Sequence, residues 1–296
     1  MRIATVLEDG SRKACVVEGD QVFVTDVAGA DAAIGLACDL KKTPGRWVPR
    51  AKVTFDAVLR PPVLLCTGHN YRDHADEKSV NRPHGAKGLE FFMKAGQTIA
   101  APGAGIVLDP FVTTKMDQET ELGFVIGKGG RHITKERALD HVFGYLIVND
   151  VTARDRQVLK RSDGSFVMEL GTAKNFEGAT QLSTELVTRD EIPDPQALAL
   201  STKVNGEMRQ LSNTSLMINT VADVIAHFSS LLYLHPGCVI STGTPAGTGW
   251  GQDRDLGGNG RVPAQCKPGA YLQPGDRVVS EIEKIGALTF TVHAPV

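Results

Sequence analysis

The apolar residues of this chain come in short runs, and that limits the folds open to it. RIATVL, KACVVE, QVFVTD, VLLCTG, GYLIVNDVT, CVIST, DRVVSEIE and ALTFTV alternate with turn-forming segments. Runs of this length, rich in Val, Ile and Thr, read as strands rather than helices. The clearest helix is VADVIAHFSSLLYL, with Thr220 placed to cap it and His235-Pro236-Gly237 placed to stop it, while KERALDHVF after Thr134 and ARDRQVLK read as shorter helices. Asn205-Gly206 lies between two extended arms and predicts a type I′ hairpin. The punctuation is heavy, with 31 Gly and 15 Pro. Strict alternation of strand and helix is absent. That argues against a doubly wound dinucleotide fold and for a mixed, mainly antiparallel β architecture. Pro61-Pro62 is the expected boundary between a small N-terminal β domain (1–60) and a larger domain (61–296).

Charge and cysteine usage exclude several classes of function. The 296 residues carry 32 basic and 34 acidic side chains, a net charge of −2, with no long block of one sign. A bulk electrostatic case for nucleic acid or an anionic membrane is missing. No apolar run approaches bilayer-spanning length, and MRIATVLEDG lacks the apolar stretch of a signal peptide. Cysteines at 15, 38, 66, 238 and 266 are odd in number and form no C-x-x-C pair. A disulfide framework and a thiolate zinc site are therefore not expected, and a cytoplasmic protein with reduced thiols is.

The most informative chemistry is Glu119-Thr120-Glu121, at the head of the apolar LGFVIG. In a strand, residues two apart share a face, so the two carboxylates project together. A divalent cation would relieve their repulsion, although a solvent-facing strand end with two unrelated glutamates fits the same spacing. Asp150 ends a second apolar run, GYLIVND. Three carboxylates at neighbouring strand ends would make an all-oxygen site suited to Mg²⁺ or Mn²⁺. Asp150 also fits the N-cap of the following helix, and Asp155 competes with it. His74 and Glu77 in NYRDHADE share a helix face at i, i+3 and could form a water-activating pair, or a chance surface pair. His69, His74 and His84 raise an imidazole zinc site at a spacing that fits no regular motif. Lys94 and Lys174 sit in apolar contexts, where they could neutralise a bound carboxylate or simply snorkel. STGTPAGTGWG (241–251) allows close backbone approach to a ligand and offers the Thr244 hydroxyl, yet it lacks the Gly-Lys-Ser/Thr of a phosphate loop. No G-x-S-x-G, C-x-x-C or H-E-x-x-H occurs.

Together these segments resemble the fumarylacetoacetate hydrolase family over about residues 61–293. The resemblance is carried in order by GHNYRDHADE (68–77), FFMKAGQTIAAPGAGIVL (91–108), ETELGFVIGKGGRHI (119–133), GYLIVNDVTARDRQ (144–157), KNF (174–176), STGTPAGTG (241–249) and LQPGDRVVSEIEKIGAL (272–288). It implies a mainly β protein with α+β character, a mixed β-sandwich roll after a small N-terminal domain, usually as a homodimer. By resemblance, Glu119, Glu121 and Asp150 are the metal ligands for Mg²⁺ or Mn²⁺. His74 and Glu77 form a catalytic dyad on a lid segment, and Lys94 and Lys174 are active-site lysines. Gln157 and Thr244 contact the keto-acid end of the substrate, with Arg154 and Tyr71 as further substrate-binding candidates.

The implied activity is hydrolysis of a carbon–carbon bond in a 2,4-diketo acid or acylpyruvate. The alternatives are a decarboxylase or keto-enol isomerase of a 2-oxo acid, a hydrolase of a 2,4-diketo-3-deoxy sugar acid, and a silent binding protein that keeps the fold alone. The expected partner is a small 2-oxo acid, with no nucleic acid and no membrane. Three departures bear on the substrate. His69 stands where Arg or Lys is common, GATQLS replaces a Pro-Leu-Gly-Pro element after Lys174, and the Gly-rich stretch after Trp250 is long.

Overall fold

The structure is a computed structural model that describes residues 1–36, 39–77 and 89–295. Cys38 and His84 lie outside the described residues. The short apolar runs do form strands, and the protein is mainly β with mixed sheets. Among the described residues, twelve strands join one large sheet. Its main path runs through Gly45–Pro49, Gln21–Thr25, Ser11–Glu18, Arg2–Glu8, Leu186–Thr188, Val142–Asp150, Thr120–Ile126, Val239–Ser241, Val63–Thr67 and Phe91–Ala95. A second sheet orders Glu207–Asn213, Ala199–Val204, Arg277–Ile282, Gly286–His293 and Ile106–Val107. Pairing is antiparallel except for Val239–Ser241 on Val63–Thr67 and Gly286–His293 on Ile106–Val107.

The central strand Thr120–Ile126 is buried at every position because both of its faces are covered. Leu122, Phe124 and Ile126 enter a core shared with Val224, Ile225 and Phe228 of the helix and with Leu200 and Ile282 of the second sheet. Val125 points the other way, into a core with Leu146, Val148, Leu64, Cys66 and Ile34. Burying each such side chain contributes about 1.5–3 kcal/mol, so the pattern fixes the strand's register strongly. A one-residue slip would exchange the two cores and move the acids at the strand's head to the wrong side.

The helix Val221–Leu231 forms as its sequence predicts. Thr220 and Asp223 make a reciprocal capping box, and Val221, Val224, Ile225 and Phe228 form its buried stripe. The Asn205-Gly206 turn has positive φ at both positions, 53° and 81°. The expected helix in ARDRQVLK is shorter. It covers Arg154–Gln157 and gives way to the strand Val158–Lys160, paired with Phe166–Met168 across a turn at Gly164. The β-branched Val158 and the turn glycine favour the hairpin over a longer helix. The strand Arg2–Glu8 pairs with Leu186–Thr188, so the hydrogen-bonded ladder runs across the expected boundary at Pro61-Pro62. Gly144 permits the neighbouring approach, because a Cβ there would lie 2.4 Å from the Val187 carbonyl oxygen.

Candidate metal and substrate site

At one end of the large sheet, the face that carries Val125, Leu146 and Val148 turns acidic. Glu121 follows the Val125 face by strand alternation, and Glu119 lies one residue before the strand on the same side. Asp150 ends Val142–Asp150, and its N–H donates to the Glu119 carbonyl at 2.9 Å, so the two residues stand opposite each other. The three carboxylates are buried, and one oxygen from each lies within 4.8 Å of the others. Asp155 is not among them. It accepts from the Thr114 N–H at 2.9 Å and from the Thr113 hydroxyl.

Cations and backbone N–H groups hold these acids. The Lys174 ammonium donates to Glu119 Oε2 at 2.6 Å, Asp150 Oδ2 at 2.7 Å and Thr152 Oγ1 at 2.7 Å. Its three protons are thereby all engaged. Lys94 donates to Asp150 Oδ1, and to the Ala179 carbonyl at 2.8 Å. Arg154 donates to Glu119 Oε1 at 2.5 Å, Asp117 Oδ2 at 2.7 Å and Gln157 Oε1 at 2.6 Å. Glu121 accepts from the Ser241 hydroxyl at 2.5 Å and the Gly243 N–H at 2.9 Å.

These surroundings drive the carboxylates apart in acidity. Burial pushes Glu119 upward, but Arg154, Lys174 and His74 outweigh it and hold the group well below the ordinary carboxylate range. Glu121 is pushed up to about 8 by burial and by Asp150 and Glu119. Burial also opposes the Lys174 charge, yet Asp150 and Glu119 raise its affinity for the proton. A divalent cation at the oxygens would release the Glu121 proton. The oxygen-only donor set fits Mg²⁺ or Mn²⁺ better than Zn²⁺.

Beside the acids stands an imidazole. His74, on the short helix Arg72–Ala75, shares a 2.8 Å hydrogen bond between Nδ1 and Glu77 Oε2. Its Nε2 lies 3.9 Å from Glu119 Oε1. Glu77 in turn accepts from the Gly247 N–H at 2.6 Å. His69 also bonds a carboxylate through Nδ1, that of Glu90 at 2.8 Å. Of the imidazoles raised for zinc, His69 and His74 stand with ring centroids 6.0 Å apart, and His84 lies outside the described residues.

A cleft of about 340 Å³, counting the space open to solvent, brings His74, Glu119, Glu121, Gln157, Lys174 and Thr244 to one surface. Gln157 Oε1 is taken by Arg154, so its amide N–H₂ is the end presented to a ligand. Thr244 donates to the Thr120 carbonyl at 2.9 Å and accepts from Gln210 Nε2 at 2.8 Å, which leaves it an acceptor toward the cleft. Three expected site residues stand elsewhere. Lys94 is fully buried behind Asp150, away from the cleft lining. Arg154 is fully buried and spends its guanidinium on Asp117, Glu119 and Gln157. Tyr71, read as a substrate contact, is core instead. It packs with Leu122 and Phe124, and its hydroxyl finds no partner among the described residues. The apolar surroundings of the strand's even face claimed the ring.

The glycine-rich loop 241–251 approaches carboxylates of the protein itself. Its N–H groups hold Glu121 from Gly243, Glu77 from Gly247, and Asp117 from Gly249 at 2.8 Å and Trp250 at 3.0 Å. Gly247 has φ +109°, and a Cβ there would lie 1.9 Å from the Arg209 carbonyl oxygen, so only glycine fits. The sequence reading missed Asp117, Glu90 and Gln210. Asp117 was visible as the first member of Asp117-x-Glu119-x-Glu121, three acids at strand spacing.

Comparison with known proteins points one way. Residues 64–293 match the family described as fumarylacetoacetate (FAA) hydrolase C-terminal. A fumarylacetoacetate hydrolase from the psychrophilic Exiguobacterium antarcticum superposes with a TM-score of 0.78 at 32% identity, covering 100% of both chains. A 2-hydroxyhepta-2,4-diene-1,7-dioate isomerase from Mycobacterium marinum gives 0.72 at 28% identity, over 99% of this chain and 98% of that one. A maleylpyruvate hydrolase from Sphingobium sp. SYK-6, solved with manganese(II) and pyruvate, gives 0.72 over 100% of both chains. At 23% identity that likeness is one of fold.

Proposed function

Since this chain belongs to the fumarylacetoacetate hydrolase family, we propose that it is a divalent-metal-dependent hydrolase of a carbon–carbon bond in a 2,4-dioxo acid of the acylpyruvate type. The observation that carries the reading is the buried trio Glu119, Glu121 and Asp150, with His74 Nε2 at 3.9 Å from Glu119 in one cleft. Those three carboxylates would hold Mg²⁺ or Mn²⁺. When bound, the ion supplies charge stabilisation for the substrate's carboxylate and oxo oxygens. The manganese(II) and pyruvate in the maleylpyruvate hydrolase support this choice of ion and ligand.

The chain's own residues do the rest. The Gln157 amide binds the keto-acid end of the substrate. His74 takes a proton from water, with Glu77 holding the opposite ring nitrogen in the donor tautomer. The hydroxide adds to the carbonyl carbon at position 4. The C3–C4 bond breaks, its electron pair goes to C3, and the imidazolium returns the proton there. The products are a carboxylic acid and pyruvate. Lys174 and Lys94 keep the acid cluster close to neutral through Glu119 and Asp150.

An isomerase or decarboxylase reading uses the same acids without attack by water, and the Mycobacterium marinum likeness favours keeping it as the second reading. A panel of acylpyruvates, diketo sugar acids and oxaloacetate, with product masses measured, separates them. The hydrolase reading expects His74→Ala to lower acylpyruvate cleavage at least 100-fold. If oxaloacetate decarboxylation alone is found in the wild type, the second reading replaces the first. A cytoplasmic homodimer is part of the proposal. The described cysteines are free thiols, as a reducing compartment favours. Light scattering on the purified protein checks the dimer.

A further inference from the structure

The cleft has a second His–Glu pair, which the mechanism above does not use. His69 follows the strand Val63–Thr67 and Gly68, and Glu90 precedes the strand Phe91–Ala95, which pairs with it. The Gly68 N–H donates to the Glu90 carbonyl at 2.9 Å, which pins the exit of one strand to the entry of the next. His69 has φ 51°, a left-handed conformation that costs energy in a residue with a Cβ. His69 lines the cleft, as do Thr67, Gly68, Glu90 and Phe92.

The ring lies nearly parallel to that of His74, with centroids 6.0 Å apart and planes at 18°. Both rings engage a carboxylate through Nδ1, so each turns Nε2 away from its partner. The two pairs differ in depth. Side-chain exposure is 5% and 1% for His74 and Glu77, but 20% and 31% for His69 and Glu90. His74 therefore stands at the acid cluster and His69 one ring-spacing nearer the mouth. A substrate whose 2-oxo acid head sits at Gln157 and the acids would pass His74 and bring its far end to His69, along the apolar wall of Phe92. With Nδ1 held by Glu90, the imidazolium form of the ring would present Nε2–H as a charged donor to that far end.

We propose that His69, oriented by Glu90, is the specificity-determining residue of this cleft and selects substrates that end in a distal carboxylate. The proposal rests on the 2-oxo acid reading of the site given above.

Two unreactive ligands test it by calorimetry on the Mn²⁺-loaded protein: 2-oxoheptanedioate, and 2-oxoheptanoate, which lacks only the distal carboxylate. The wild type is expected to bind the dioate at least tenfold more tightly. His69→Asn keeps a residue that tolerates the left-handed backbone and removes the ring. It should bring the two affinities within about twofold through loss on the dioate, and Glu90→Gln should reduce the preference partly. Thermal unfolding of each variant checks the fold. No preference in the wild type, or an unchanged preference in His69→Asn, overturns the proposal. Equal weakening of both ligands assigns His69 a structural role and overturns it too. If the wild type binds neither ligand, the 2-oxo acid reading itself fails and takes the proposal with it.

Discussion

Glu121 is buried beside two other acids, and its proton affinity records the conflict. Its folded value of about 8 lies above the ordinary 4.5. In the metal-free protein, its contribution to stability is full below about pH 4.5. It is lost as the pH rises toward 8, because ionised Glu121 is favoured in the unfolded chain. Glu121→Gln should therefore raise the metal-free melting temperature at pH 8. The gain should shrink toward zero at pH 5, and the variant should lose metal binding. Thermal scans across that range, with chelator, read it directly; a pH-independent difference would contradict the account. Glu119, Glu121 and Asp150 were legible in the sequence because an acid at the head of an apolar strand needs a partner. The pairing of Asp117 with Arg154 was not. Their 2.7 Å pairing is set by three-dimensional closure between residues 37 apart, which no local pattern encodes.

At the scale of elements, the site is built from strand ends and one loop, while the helix Val221–Leu231 stands behind the apolar core. Loss of the capping box in Thr220→Ala should cost about 1 kcal/mol in urea denaturation. It should leave kcat/KM within about twofold, because no residue of the helix is part of the cleft lining among the described residues. A tenfold fall in kcat/KM would show the helix to be coupled to the cleft. The helix, the Asn205-Gly206 hairpin and most strands could be read from periodicity and turn chemistry. The task of the loop 241–251 could not. Its glycines signalled close approach, but the partners, Glu121, Glu77 and Asp117, lie more than 100 residues away.

Across the whole molecule, the N-terminal strands extend the same sheet that carries the acids. Sequence composition marks Pro61-Pro62 as a break, but strand pairing over some 180 residues leaves no trace in composition. The continuous ladder predicts one cooperative unfolding transition. The chain has two tryptophans, Trp47 in the N-terminal segment and Trp250 in the loop over the site. Single-tryptophan variants, each reporting one end, should give coincident urea midpoints, and separated midpoints would mean two independent units. The central claim, metal-dependent cleavage through Glu119, Glu121 and Asp150, is tested most directly by the rate of acylpyruvate hydrolysis before and after stringent metal removal. The account predicts that cleavage falls at least 100-fold on stripping and returns with Mg²⁺ or Mn²⁺. Full activity in the stripped protein would contradict it.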